Sequence, residues 1–220
     1  MNKKAIVLFS GGLDSTTILY YAKDKGFEPY CLIFDYGQRH RKEINLAKTI
    51  AKQAGCDFKV VKISLPWLGS SLLDKSMDIP MGGAIDEKKI PSTYVPARNI
   101  IFLSFAASYA EAVGARAIFI GANAIDYSGY PDCRPEFFEA YQQTLKTGLK
   151  TGVEHKAIKI HIPLIHKTKA QIIKMGLKLN VPYDLTWSCY RGGKHPCGKC
   201  DSCVLRLRGF EQVGTKDPTL

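Results

Sequence analysis

The chain has 220 residues, 45% apolar and 23% charged, with 19 Gly and 11 Pro; this balance excludes disorder, collagen-like repeats and coiled coil, and predicts one domain with space for a small appended module. The longest near-apolar stretch, 100–110, carries Ser104, Ser108 and Tyr109 and stops at Glu111, short of the ~20 residues a bilayer span needs. Only five apolar residues follow Lys3 and Lys4, too few for a secretory leader, so a cytoplasmic protein without membrane contact is expected. The formal charge of +11 is uneven: residues 146–208 hold 13 basic and 3 acidic side chains, which points to an anionic ligand on that half.

Residues 4–10 read as a buried strand, because Ala5, Ile6, Val7, Leu8 and Phe9 form a continuous apolar run ending at two glycines. Asp14 opens a helix whose Ile18, Tyr21 and Ala22 share one face and which stops at Gly26. A strand at 30–34 follows. The next helix sets Ile44, Ala47, Ala51 and Ala54 on one side with Lys48 and Lys52 outside, and Gly55 ends it. After a strand at 58–63 comes the connection 64–92, with Met81-Gly82-Gly83 and Lys88-Lys89; it is long for a structureless loop and is expected to be a substrate lid or a mobile segment. A helix at 100–113, a strand at 117–121, a helix at 135–150, a strand at 158–162 and a helix at 168–178 precede a cysteine-rich tail. Such alternation predicts an α/β fold, a Rossmann-like parallel sheet with helices on both faces, and ligands beyond the C-terminal strand ends.

Ser10-Gly11-Gly12-Leu13-Asp14-Ser15 lies between a predicted buried strand and a predicted helix. Two glycines let the backbone turn sharply and direct its N–H groups outward, and Ser10, Ser15, Thr16 and the positive end of the helix dipole favour a phosphate. The loop lacks the lysine of a Walker motif. A carboxylate beside a phosphate is repulsive unless a cation lies between them, so Asp14 is assigned to magnesium. The plain alternative is a Gly-Gly turn with an Asp cap.

Seven cysteines are present, four of them in the last 32 residues. Cys189, Cys197, Cys200 and Cys203 form C-x7-C-x2-C-x2-C, a spacing that lets four thiolates converge on one structural zinc with no open coordination position. An iron-sulfur cluster is the rival and disulfides the plain alternative. His195, inside the segment, is expected to be a bystander.

The Ser-Gly-Gly-x-Asp-Ser loop resembles the pyrophosphatase loop of ATP-dependent enzymes that cleave between the α and β phosphates, including NAD synthetase, GMP synthetase and tRNA thiolases. Four further stretches extend the resemblance over nearly the whole chain: Asp35-Tyr36-Gly37-Gln38-Arg39-His40, Tyr94-Val95-Pro96-Ala97-Arg98-Asn99, Tyr127-Ser128-Gly129-Tyr130-Pro131-Asp132-Cys133-Arg134, and Thr186-Trp187-Ser188-Cys189-Tyr190 leading into the cysteines. Together they resemble the 7-cyano-7-deazaguanine synthases of queuosine-precursor biosynthesis.

The resemblance implies an adenine nucleotide α-hydrolase-like fold, with an ATP-binding α/β domain at 1–183 and a zinc-binding tail at 184–220 packed on that domain. It implies ATP, Mg2+ and one structural Zn2+ as cofactors, 7-carboxy-7-deazaguanine and free ammonia as substrates, a homodimer, and no nucleic-acid partner. Phe9, Ser10, Gly11, Gly12, Leu13, Asp14, Ser15, Thr16, Thr17, Ile18 and Leu19 are then the nucleotide-binding candidates. The chemistry asks for two activations, since neither carboxylate oxygen leaves unaided at neutral pH.

Among candidate catalytic residues, Arg98 and Arg134 are fixed cations for the substrate carboxylate and the reacting phosphorus. Asp126, with Asp132 and Glu136, offers carboxylate acceptors to a purine-like face, and Tyr127 and Tyr130 offer rings to stack on it. Gln38, Arg39 and His40 follow the second strand, where His40 is a candidate to take a proton from attacking ammonium, although a lone histidine is more often structural. Cys133 is read as a small buried hydrophobe and not a nucleophile. A tRNA thiolase with the same loop is the alternative enzyme, and a zinc module that binds nucleic acid is the non-catalytic one.

Overall fold

The computed structural model describes residues 3–39, 41–82, 89–124 and 129–219. Its five strands are β1 (Lys4–Leu8), β2 (Glu28–Asp35), β3 (Asp57–Lys62), β4 (Ala117–Phe119) and β5 (Lys159–His161), and its α-helices are α1 (Leu13–Asp24), α2 (Lys42–Gln53), α3 (Arg98–Val113), α4 (Pro135–Gly148), α5 (Lys150–Val153), α6 (Lys169–Lys178) and α7 (Asp201–Val213). The strands form one parallel sheet in the order β3-β2-β1-β4-β5. Central β1 sets Val7 opposite Cys31 on one side and Phe119 on the other.

Successive residues of a strand point to opposite faces, and β1 feeds two cores. Ala5, Val7 and Phe9 meet Ile18 and Leu19 of α1, Ala47 and Ile50 of α2, Ile172 of α6 and Phe210 of α7. Ile6 and Leu8 meet Leu103 and Ala107 of α3 and Phe138 and Leu145 of α4. Because both faces are covered, β1 reads as an unbroken apolar run. The sheet extends one way from β1 through β2 and β3 and the other way through β4 and β5. The switch point, where a doubly wound sheet takes its ligand, therefore lies beyond the C-terminal end of β1.

The predicted helix 135–150 is divided in the structure, with Leu149 in extended backbone (φ −105°, ψ 149°) between α4 and α5. Gly148 at the junction is a weak helix former, and the Leu149 carbonyl instead caps the short α5 by accepting from Gly152 and Val153. The tail, read from sequence only as cysteine-rich, contains α7, which packs against α6. In the long connection, the described part is tied down: Ser70 and Ser71 are buried, Ser71 N–H donates to the Ser92 carbonyl, and Met81 pairs with Cys200 as an antiparallel bridge. No helix among the described residues is long and apolar enough to cross a membrane.

Candidate active site

The loop after β1 is shaped by close approach to its neighbours. Gly11 has φ +75°, and a Cβ there would meet the Ala47 backbone nitrogen of α2 at 2.8 Å, so only glycine fits. Ser10 and Ser15 hydroxyls lie 3.1 Å apart across the turn, and Ser15 and Thr16 hydroxyls both donate to the Gly12 carbonyl. Phe9, Ser10, Gly12, Leu13, Asp14 and Ser15 line a cavity of about 260 Å³. The later nucleotide candidates point elsewhere: Thr17 bonds the Leu13 carbonyl and the Tyr183 hydroxyl, and Ile18 and Leu19 are wholly buried in the core.

Asp14 is not alone in this cavity. Lys169, the first residue of α6, places Nζ 2.8 Å from each of its carboxylate oxygens. The loop thus has a lysine after all, delivered from 155 residues away. A sequence signal for it existed: a cation at a helix N-terminus opposes the dipole, so Lys169 directly after the capping residue Thr168 has to be held by an anion.

The far end of the cavity is built on α3. Ala97 takes the left-handed conformation (φ 55°, ψ 19°) with its N–H donated to the Tyr94 hydroxyl, a geometry that costs a non-glycine residue about 1 kcal/mol. The turn sets Arg98 at the start of the helix, on the cavity wall with Tyr36, Asn99, Tyr130 and Cys133. Arg98 Nη1 lies 3.4 Å from the Tyr36 hydroxyl. Burial works against its charge, but Tyr36, Tyr130, Asp132 and Cys133 around it carry its pKa above the ordinary arginine value. Burial in turn raises the Asp132 carboxyl, while the Asn99 N–H it accepts and Arg98 pull it back. The Cys133 thiol is pushed up to about 12 by burial and then by Asp132; it is a thiol at neutral pH and a poor nucleophile.

One cavity carboxylate was not found from sequence. Glu43, in the first turn of α2, lines the wall. Buried Gln38 accepts the Tyr36 N–H and donates to the Phe34 carbonyl and to Glu43 Oε1 at 3.1 Å. The backbone at β2 fixes the Gln38 amide, and the amide orients Glu43. Arg39 instead donates to the Asp74 and Met77 carbonyls of the long connection. Arg134 and Glu136 are exposed around the start of α4 and do not line the cavity. Asp126, Tyr127 and His40 lie outside the described residues.

Cys189, Cys197, Cys200 and Cys203 bring their sulfurs within 4.8 Å of one another, three of the residues buried. Zinc-sulfur bonds of about 2.3 Å in a tetrahedron set sulfurs about 3.8 Å apart, so four sulfurs within 4.8 Å of one another are near enough to share one zinc ion. The Cys197 N–H donates to Cys189 Sγ and the Cys200 N–H to Cys197 Sγ, donors suited to thiolate charge. His195 is exposed and outside the group. The tail also walls the cavity through Trp187, Ser188, Tyr190, Ser202 and Arg206, none of which sequence reading had placed there.

Comparison with solved structures places the architecture. NMN synthetase from Francisella tularensis superposes with TM-score 0.53 at 15% identity, over 98% of this chain and 79% of that one. The U34-tRNA thiolase NcsA from Methanococcus maripaludis gives 0.50 at 18% identity, over 97% and 66%. At such identities the likeness is one of fold, the adenine nucleotide α-hydrolase-like α/β architecture.

The sequence comparisons are far closer. The model of the queuosine biosynthesis protein QueC matches residues 4–214. A 7-cyano-7-deazaguanine synthase from Thermoplasma volcanium is 55% identical over 219 residues, 99% of this chain and 90% of that protein, and one from Clostridium kluyveri is 54% identical over 98% and 96%. With the loop, the cavity and the four cysteines all inside the matched span, this chain belongs to the queuosine biosynthesis QueC family of 7-cyano-7-deazaguanine synthases.

Proposed function

We propose that the chain is an ATP-dependent ligase that converts 7-carboxy-7-deazaguanine and ammonia to 7-cyano-7-deazaguanine through adenylated acid and amide intermediates. The observation that carries this reading is one cavity with a phosphate-type loop, Asp14 and Lys169 at one end and the Arg98 guanidinium among aromatic rings at the other. A nucleotide triphosphate and a planar anionic base ask for that combination.

In the first half-reaction a carboxylate oxygen attacks the α-phosphorus of ATP, the bond to the β-phosphate breaks, and pyrophosphate leaves. Ammonia then bonds to the carbonyl carbon, AMP departs with the oxygen, and one proton is lost to give the amide. In the second half-reaction the amide oxygen attacks the α-phosphorus of a second ATP, a second pyrophosphate leaves, and loss of AMP and the two nitrogen protons gives the nitrile. Two ATP are consumed per nitrile. The Ser10–Ser15 segment supplies N–H and hydroxyl donors to phosphate, Lys169 a cation, Arg98 a partner for the carboxylate, and Glu43 an acceptor for the proton released as ammonia adds. Asp14, whose two oxygens accept from Lys169 in the structure, is the residue that would hold Mg2+ once Lys169 turns to the phosphates; the ion would neutralise phosphate charge. Asp126 and Arg134 complete the proposed catalytic set.

The proposed division is an ATP-binding domain at 1–183 and a zinc-binding tail at 184–220, with zinc in a structural role. A cytoplasmic location suits four metal-binding thiolates, and a homodimer suits α3, whose outer face exposes Ile100 and Phe105. The test is to supply the amide alone: it should be converted to nitrile with ATP and without ammonium, using half the ATP that the acid uses. Amide left untouched while the acid is converted would refute the two-step route, and sulfur entering a tRNA base would refute the function.

A further inference from the structure

Trp187 stands between the cysteine cluster and the phosphate loop and bonds to both. Its backbone N–H donates to the Gly11 carbonyl at 3.0 Å, and its indole Nε1 donates to the carbonyl of Cys189, a member of the cluster, at 2.9 Å. The indole is 5% exposed and packed with Cys189, Cys200 and Cys203. From the outside, Lys42 lies over the ring, 4.2 Å from its centroid, and donates to the Lys194 carbonyl within the cysteine-bearing segment. On the cavity side, the Trp187 carbonyl sits 3.5 Å from where a Cβ on Gly12 would be.

We infer that Trp187 is a positioning residue that couples the metal cluster to the nucleotide cavity, so that metal in the cluster tightens nucleotide binding and nucleotide slows metal loss. A metal bound by four thiolates fixes the Cys189 backbone, Cys189 fixes the indole, and residue 187 fixes the Gly11 carbonyl at the turn whose neighbours Ser10 and Gly12 line the cavity. Without the metal, the chain on both sides of Cys189 loses its anchor and the turn loses one of its outer bonds. Each ligand thus favours the same arrangement of one segment, and the coupling is necessarily reciprocal. The inference rests on the nucleotide and metal readings above but adds a dependence that neither contains.

The experiment uses zinc-loaded full-length protein, magnesium and the α,β-methylene analogue of ATP, which cannot be cleaved between the α and β phosphates. Zinc release to a colorimetric chelator is timed with and without the analogue, and analogue affinity is measured by calorimetry on loaded and zinc-depleted protein. The analogue should slow zinc release on the order of tenfold, and zinc depletion should weaken analogue binding by the factor by which the analogue raises zinc affinity. In Trp187→Phe, which keeps the ring but lacks the Nε1 donor, zinc and analogue should each still bind while the slowing largely disappears. A merely structural tryptophan would alter stability and leave the slowing intact. Binding of the analogue with no effect on zinc release in the wild type would overturn the coupling, as would full slowing in the variant. Absence of analogue binding by calorimetry would overturn the nucleotide reading of the cavity and the coupling with it. The wild-type comparison decides the matter by itself if the variant fails to fold.

Discussion

Lys169 Nζ lies 2.8 Å from both oxygens of Asp14, joining the first turn of α1 to the first turn of α6 across the cavity. Both groups are largely out of water, with side-chain exposures of 9% for Lys169 and 22% for Asp14. An ion pair so placed is weak as a source of stability but costly to break on one side, since the remaining buried charge loses its counter-charge in the pair.

Removing either partner should therefore do two separable things. Lys169→Met is expected to lower stability by about 2 kcal/mol and turnover by about a hundredfold or more. The double variant Asp14→Asn/Lys169→Met should recover most of the stability and none of the turnover. Urea unfolding and a pyrophosphate-release assay on the two singles and the double would check this. A double variant whose loss equals the sum of the two single losses would mean that the pair is not coupled.

The cysteine cluster makes a second prediction. One zinc per chain is expected, and Cys200→Ala should lower the melting temperature more than it lowers kcat, because structural zinc contributes directly to folding free energy. Elemental analysis and calorimetry on the variant test both halves, and iron with labile sulfide in the purified wild type would contradict the zinc assignment.

Sequence patterns carried the sheet and its helices because burial on both faces writes itself into continuous apolar runs such as Ala5 to Phe9, while helices keep a one-sided pattern such as Ile44, Ala47 and Ala51. The loop and the four cysteines were legible because their chemistry is local in the chain. Lys169 and Glu43 were not, since what makes each of them a cavity residue is a neighbour far away in sequence or a turn of helix that points it inward. Trp187 was visible as part of a motif, but its bond to Gly11, 176 residues away in sequence, is a property of tertiary structure alone. The break at Leu149 was missed because an apolar face runs on through it.

Arg206 anchors the tail. Its guanidinium bonds both carboxylate oxygens of Asp217 at 2.6 and 2.9 Å, the Thr186 hydroxyl at 2.7 Å and the Tyr183 carbonyl at 3.0 Å, and both charged side chains are almost fully buried. Arg206→Met leaves Asp217 buried without its partner, so a loss of about 3–5 kcal/mol is expected. Denaturant unfolding of the metal-loaded protein measures it, and a loss within about 0.5 kcal/mol of zero, as at an ordinary surface site, would contradict the anchoring role.

His161 should make the protein sensitive to mild acid. Its ring stacks on Phe119 with centroids 4.6 Å apart, and burial, followed by the charge of Lys159, lowers its pKa below the ordinary histidine value of 6.5. A folded-state pKa below the unfolded one means that the unfolded chain binds the proton more readily. The contribution of neutral His161 is therefore complete above about pH 6.5 and is lost as the pH falls through that value toward the folded pKa. His161→Gln should flatten the stability profile in that window, and an unchanged acid limb would assign the sensitivity to other groups.

On the proposed two-step route, Arg98 should distinguish the two half-reactions. The acid presents a full negative charge to the cavity, whereas the amide presents none, and a hydrogen bond between charged groups contributes roughly 1.5–3 kcal/mol against about 1 kcal/mol for a neutral one. The guanidinium is held at the start of α3 by the left-handed turn at Ala97 and by the Tyr36 hydroxyl, so its donors are set in place on the cavity wall. Arg98→Met should thus lower kcat/KM for the acid on the order of tenfold more than for the amide. Arg98→Lys should restore part of the difference, since it returns the charge but not the paired donors. Parallel assays of the acid with ammonium and the amide without it, each followed by nitrile formation, give the ratio directly. Equal losses on the two substrates would show that Arg98 acts on a group both reactions share, such as the reacting phosphorus, and not on the carboxylate.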